Sequence, residues 1–221
     1  MSVVSKRHLS RECSVKFLTS VCVFFVLAPA SWAATGDPYV GLDLNIDQVI
    51  WSNSTIAATY PTQNSGGTFR IGDRIWDDVA VELGYSNSYG SAPVTSSAGI
   101  SNKLSNRLAL RALQLDGLAF FPLGKGWFQP FVTAGLAYDE ASARLRTITT
   151  TYDSKTKLNV ITIISTPYFD KSEIDWHAGL GMEVVPMDGL SVRFTARYIP
   201  YSFAGHMSGG VTFGLGLNIG I

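Results

Sequence analysis

The chain has 221 residues with 17 basic and 17 acidic side chains, so its formal net charge is zero. This balance argues against nucleic acid as the main partner, because nucleic-acid-binding proteins normally carry a basic excess. Charged residues make up only 15% of the chain, whereas 21 residues are glycine and 12% are aromatic. Such a composition is unlike a disordered segment and unusual for a soluble helical protein.

Residues 1–33 have the layout of a secretory signal peptide. A basic beginning is followed by an apolar run over residues 17–28, and small residues at Ser31 and Ala33 precede the predicted cleavage point. A transmembrane anchor is the alternative, but the apolar run is short for a bilayer span. We therefore expect cleavage after Ala33 and a mature domain of residues 34–221.

The predicted cleavage changes the chemistry that the mature chain can use. The segment 1–33 contains four basic residues and one acid, so residues 34–221 have 13 basic and 16 acidic side chains, a net charge of −3. Both cysteines, Cys13 and Cys22, leave with the signal. The mature chain is thus expected to have no disulfide, thiolate metal site or cysteine nucleophile.

Alternation with a period of two residues dominates the mature chain. In the last segment, large apolar residues occupy every second position: Val211, Phe213, Leu215, Leu217, Ile219 and Ile221. Small or polar residues fill the positions between them, which is typical of a β-strand with one apolar face. Its length of about eleven residues suits a tilted membrane-spanning strand.

Similar alternation predicts eight strands. The segments are 39–47, 67–72, 78–86, 107–120, 128–139, 173–184, 191–198 and 211–221. Segment 107–120 changes phase near Arg111, which we interpret as a bulge or an early strand end. Short connections (73–77, 122–126 and 186–189) alternate with long ones (51–66, 87–106, 140–172 and 200–209). This pattern predicts an all-β, eight-stranded antiparallel up-and-down transmembrane β-barrel with periplasmic turns and extracellular loops.

The alternative is a soluble β-sandwich or lipocalin-like barrel. Its polar face would be exposed and rich in charged residues, whereas the polar face here is rich in glycine and asparagine. Aromatic residues also cluster near the segment ends, as expected for two membrane girdles. The turn-side group is Tyr39, Trp76, Phe121, Trp127 and Phe128, and the loop-side group is Trp51, Tyr85, Tyr138, Trp176 and Tyr198.

The segments 66–85, 127–138 (WFQPFVTAGLAY) and 175–198 (DWHAGLGMEVVPMDGLSVRFTARY) resemble the small eight-stranded outer-membrane barrels of Gram-negative bacteria. These include the barrel domain of OmpA-type proteins and the opacity-type surface antigens. The resemblance extends over the mature chain and implies location in the outer membrane. Ile221 departs from the terminal aromatic residue that is common in these barrels.

An eight-stranded barrel is just wide enough for its own side chains to fill. The alternation predicts a lumen charge network of Asp43, Arg70, Glu82, Asp116, Asp175, His177, Glu183, Arg193 and Arg197, with Asp47 on the same face. Because buried charges must be paired, we interpret this set as a structural salt-bridge core. An ion-conducting path and a pH-sensing role for His177 are the alternatives.

The connection 140–172 contains two strongly β-forming stretches around residues 153–155, so we predict a hairpin that extends above the membrane. Its candidate surface-binding residues are Arg144, Arg146, Tyr152, Lys155 and Lys157. The hairpin is expected either to shield the barrel mouth or to contact anionic lipopolysaccharide or a host ligand.

Catalysis has little support in the sequence. Residues 197–205 faintly resemble the motif of a lipid-processing hydrolase, but Pro200 stands where that family has the histidine before Ser202. His206 and Ser208 restore the spacing in a loop, without an obvious orienting acid. We therefore expect no catalytic residues, no metal and no cofactor.

The expected function is that of a non-enzymatic outer-membrane protein with a structural or surface-exposed role. An adhesin that acts through the 140–172 hairpin, a narrow ion pore and, last, a hydrolase are the alternatives. The expected partners are outer-membrane lipid, lipopolysaccharide, and the barrel-assembly and periplasmic chaperone machinery during biogenesis, with no nucleic acid. The protein is expected to be a monomer.

Overall fold

The computed structural model describes residues 37–93, 105–121, 127–154, 158–201, 203 and 206–221. These residues form eight antiparallel strands in a closed barrel in which each strand pairs with its neighbour in sequence and β1 pairs with β8. The strands are β1 Asp37–Trp51, β2 Gln63–Trp76, β3 Val79–Pro93, β4 Ser105–Phe120, β5 Phe128–Asp153, β6 Leu158–Met187, β7 Leu190–Ile199 and β8 Met207–Gly220. The predicted fold class is confirmed, whereas the predicted signal peptide lies outside the described residues.

The two faces of the barrel wall differ as the alternation predicts. In β1, Leu42 and Leu44 are 65% and 75% exposed, whereas the side chain between them, Asp43, is 7% exposed. The same contrast occurs in β8, where Leu215 and Leu217 are exposed and Asn218 is buried. The barrel therefore presents its large apolar side chains outward, as a barrel surrounded by lipid does.

Short and long connections lie at opposite ends of the barrel. The β2–β3 and β6–β7 connections are tight turns at the same end as Asp37 and Gly220. Gly189 adopts φ +77° in the β6–β7 turn, a conformation that glycine reaches without steric cost. At the other end, the β1–β2 connection contains the short helix α1, Ser54–Ala57. Among the described residues, no helix has the length and apolar character needed to cross a membrane.

Strand β4 corrects the interpretation of the phase change near Arg111. The pairing of β3 with β4 is continuous from Val79–Ala119 to Pro93–Ser105, without a bulge or an early strand end. Leu108 and Leu110 point inward and are buried, whereas Arg111 is exposed. The apolar residues change faces because the interior becomes apolar at the loop end, where the outer surface becomes polar.

Two of the predicted girdle residues lie inside the barrel. Tyr39 and Trp51 are only 9% and 8% exposed, so their assignment to the membrane-facing girdles was wrong. Both lie at opposite ends of β1, on the inward-facing side of the strand. Exposed aromatic side chains at the two ends of the barrel wall include Trp76, Phe121, Trp127, Tyr85, Tyr138, Trp176 and Tyr198.

Candidate functional site

The turn-side half of the barrel interior contains a chain of buried ion pairs. Arg70 donates from Nε to Asp43 Oδ2 over 2.7 Å and from Nη1 to Glu82 Oε1 over 3.1 Å. Arg193 forms an ion pair with the same Glu82 oxygen and donates from Nη2 to Glu183 Oε2 over 2.8 Å. Five strands thus contribute to one network, in which Glu82 is shared by two arginines.

The network includes neighbours that the sequence reading did not assign to it. The Tyr39 hydroxyl donates to Glu82, and Ser191 donates to Glu183. Arg74 Nη2 lies 4.0 Å from Glu183 Oε1, and the Arg74 guanidinium lies over the Phe120 ring. Tyr39 has the same strand parity as Asp43, so strict alternation would have found it.

A second cluster lies farther along the lumen. Asp116 contacts His177 Nε2, and Arg197 Nη1 lies 3.2 Å from Asp116 Oδ2 and 2.8 Å from Gln114 Oε1. Gly135 pairs with both Asp116 and His177 on the flanking strands. A Cβ atom at Gly135 would lie 2.6 Å from Asp116 Oδ1 and 2.2 Å from the Leu115 carbonyl oxygen. Glycine is therefore required for the close approach of Asp116 and His177.

Asp175 belongs to the predicted lumen charge network, but it takes part in neither of these two clusters. It is buried, but it forms no ion pair with a described residue, and its Oδ2 atom has no hydrogen-bond partner there. Asp139 is a further buried carboxylate, and Asp47 accepts a hydrogen bond from Thr212 over 2.7 Å. Asp47, Asp139 and Arg197 line a cavity of about 20 Å³, which has room for a water molecule.

An apolar cluster, here called the cap, occupies the loop end of the interior. Its buried members are Val49, Trp51, Tyr60, Leu108, Leu110, Ala141, Ala143, Phe169, Ile199, Tyr201, Phe203 and Met207. Phe203 is completely buried and stacks on Tyr201 at 5.3 Å between ring centroids. Burial raises the pKa of Tyr60 to about 12. The described lumen therefore changes from charged to apolar toward the loops.

Strands β5 and β6 form a hairpin that extends past its neighbours. Their pairing is present from Phe128–Val184 to Asp153–Leu158, whereas β4 pairs with β5 only as far as Arg107–Arg144. Leu145–Asp153 adds about 30 Å of strand beyond that last pair. Among the candidate surface residues, Arg144 is exposed, the backbone of Arg146 and Tyr152 belongs to β5, and Lys155 and Lys157 lie outside the described residues.

The hydroxyl and imidazole groups considered for catalysis have other partners. Ser208 donates to the Ile50 carbonyl oxygen over 3.3 Å, and the His206 ring stacks on Phe169 at 5.4 Å between centroids. Ser202 lies outside the described residues. Among the residues that the structure does describe, no group of three or more His, Cys, Asp or Glu side chains could hold a metal ion.

The chain matches the family described as outer membrane protein beta-barrel domain over residues 18–219, and it belongs to that family. The protein is thus an outer-membrane β-barrel protein of the Gram-negative type, and the predicted location is confirmed. No curated protein matches the chain.

Solved outer-membrane proteins share the fold at low sequence identity. Neisserial surface protein A, NspA, is 13% identical, with a TM-score of 0.53 and coverage of 83% of this chain and 97% of that one. Ail, the attachment invasion locus protein of Yersinia pestis, solved in complex with the heparin analogue sucrose octasulfate, is 10% identical, with a TM-score of 0.53 and coverage of 85% and 99%. OprG of Pseudomonas aeruginosa is 11% identical, with a TM-score of 0.53 and coverage of 85% and 96%.

Proposed function

We propose that this protein is a non-enzymatic, sealed barrel that holds the β5–β6 hairpin at the cell surface as a contact surface for anionic polysaccharide. The hairpin carries the proposal, because its strands remain paired about 30 Å beyond the last β4 contact. An extended and paired hairpin is a more ordered contact surface than an irregular loop, so less conformational entropy is lost on binding.

The charge of the hairpin supports an anionic ligand. Residues 144–165 contain Arg144, Arg146, Lys155 and Lys157 against the single acid Asp153, a net charge of +3. The mature chain as a whole is expected to carry −3, so the hairpin differs in sign from the rest of the protein. Ail, which shares the fold, was solved with a sulfated sugar, and this makes sucrose octasulfate a suitable probe.

The contents of the barrel interior favour a structural role for the barrel over a role in transport. The ion pairs that Arg70 and Arg193 form with Glu82 cross the lumen, and the cap fills its loop end. A lumen in which charged groups satisfy one another has few sites left for a passing ion. The barrel would then act as the rigid base of the hairpin.

The test is replacement of residues 147–164 by Asn-Gly, which closes the Arg146–Ser165 pair with a two-residue turn. We expect the variant to retain the mobility shift of a folded barrel on unboiled gels but to lose sucrose octasulfate binding. The double variant K155Q/K157Q retains the hairpin length and should weaken binding by about tenfold, because exposed ion pairs contribute up to about 1 kcal/mol each. Equal binding by the wild type and the hairpin replacement would refute the proposal.

A further inference from the structure

Two arginines lie directly opposite each other on the outer surface of the barrel. Arg107 of β4 and Arg144 of β5 are register partners in the last pair that joins these strands. Both side chains are exposed, while their strand neighbours Leu108 and Ala143 point inward into the cap. Arg111 lies four residues after Arg107 in β4, which is two periods of the alternation, and is exposed on the same face.

Like charges that face each other across two strands destabilise a sheet. Neither Arg107 nor Arg144 forms an ion pair with a described residue, in contrast to the interior arginines Arg70, Arg193 and Arg197. The acids on this face have other register partners: Glu140 pairs with Arg111, and Asp170 pairs with Ser142. Within the described part of the chain, no ion pair offsets the repulsion expected between two arginines in this register.

The position of the pair relative to the membrane indicates what compensates it. The large apolar residues on the outward faces of β4 and β5 end at Leu113 and Tyr138, which are register partners. Arg107 lies six residues beyond Leu113, about 20 Å along the strand. With the usual strand tilt of about 40°, the pair lies about 15 Å above this boundary, at the level of the outer-leaflet head groups.

We propose that Arg107 and Arg144 together form a binding site for the anionic head group of lipopolysaccharide in the surrounding outer leaflet. Guanidinium groups bind phosphate and carboxylate oxygens in bidentate geometry, and an anion between two arginines converts their repulsion into attraction. Arg111, which donates to the Tyr89 hydroxyl, lies below them on the lipid side. This site shares Arg144 with the base of the hairpin, but it does not depend on the hairpin residues beyond Arg144.

The test uses Arg144→Glu, which places an acid opposite Arg107. In lipopolysaccharide-free detergent, the unboiled form of this variant should melt at the same temperature as the wild type or higher, because opposite charges replace like charges. Added lipopolysaccharide should raise the melting temperature of the wild type and leave that of the variant unchanged. The apparent affinity of the variant for lipopolysaccharide should fall by about tenfold or more relative to the wild type, as expected when a charge-assisted contact is lost.

Three comparisons make the outcome decisive. Arg107→Gln provides a second variant in case Arg144→Glu does not fold, and it should also lose the lipopolysaccharide effect. K155Q/K157Q removes two positive charges from the segment between β5 and β6 and should keep the effect, although it binds sucrose octasulfate more weakly. The proposal would be overturned if lipopolysaccharide raised the melting temperatures of Arg144→Glu and the wild type equally. It would also be overturned if inorganic phosphate raised the melting temperature of the wild type as much as lipopolysaccharide does.

Discussion

Replacing Glu82 by glutamine is expected to lower the free energy of unfolding by about 3–5 kcal/mol, because it removes the charge shared by two buried arginines. Glu82 is 1% exposed and interacts with Arg70, Arg193 and the Tyr39 hydroxyl. Arg193 would keep Glu183 and Arg70 would keep Asp43, but each buried guanidinium would lose one of its two ionic partners.

The measurement is equilibrium unfolding of the refolded barrel in urea, with the unboiled gel mobility as the readout of the folded state. Asp175→Asn is the matched control, since it also neutralises a buried lumen carboxylate, but one that forms no ion pair with a described residue. We expect this control to be neutral or stabilising, because a buried charge without a partner is costly. Similar losses in both variants would argue against the network as the source of stability.

Replacing Leu215 by arginine is expected to destabilise the barrel by about 2–4 kcal/mol, because it places a charge near the middle of the lipid-facing surface. Leu215 is exposed on β8 and is flanked in the sheet by Leu44 of β1 and Phe194 of β7, which are also exposed. The outward face at this level is entirely apolar across these three strands.

Refolding into lipid vesicles and urea unfolding measure the effect. Ser208→Arg is the control on the same strand, since Ser208 is exposed at the loop end, outside the apolar band. It should change the free energy of unfolding by less than about 1 kcal/mol, the range expected near the membrane interface. If Leu215→Arg were as mild as Ser208→Arg, the outward face would not be in contact with hydrocarbon.

Much of the fold follows from the sequence because each strand face has a different environment. The alternation places Asp43, Arg70 and Glu82 in the lumen, and there Arg70 forms ion pairs with both carboxylates. Asp175 shares their parity, but parity alone does not reveal which carboxylate reaches an arginine. That depends on the height of each residue along its tilted strand, which follows from the register between neighbouring strands.

The cap is the feature that the sequence reading did not predict. If the inner face stays polar along the whole strand, Leu108 and Leu110 in β4 indicate a phase change. The position of Trp51 near the end of its segment likewise predicts a girdle residue, whereas its side chain belongs to the cap. Residues from loops, such as Tyr60 and Phe203, complete the cap, and their approach depends on tertiary packing that local periodicity does not encode.

The arginine pair illustrates the same limit. Arg107 and Arg144 are 37 positions apart in the sequence, and only the pairing of β4 with β5 makes them neighbours. The pair is therefore a consequence of the register between β4 and β5 and cannot be recognised from the composition of either strand. The charge pattern along the chain places Arg144 in the hairpin, whereas the sheet also pairs it with Arg107.

Electrical conductance across a planar lipid bilayer tests the central claim, that the barrel is sealed by its ion-pair network and its cap. The refolded mature chain should be inserted and checked by the mobility shift of unboiled samples, so that the absence of current reflects closed and not missing barrels. We predict no discrete channel steps above the bare lipid. Stable ohmic steps from heat-modifiable wild-type protein would contradict a sealed lumen and would favour the narrow-pore alternative.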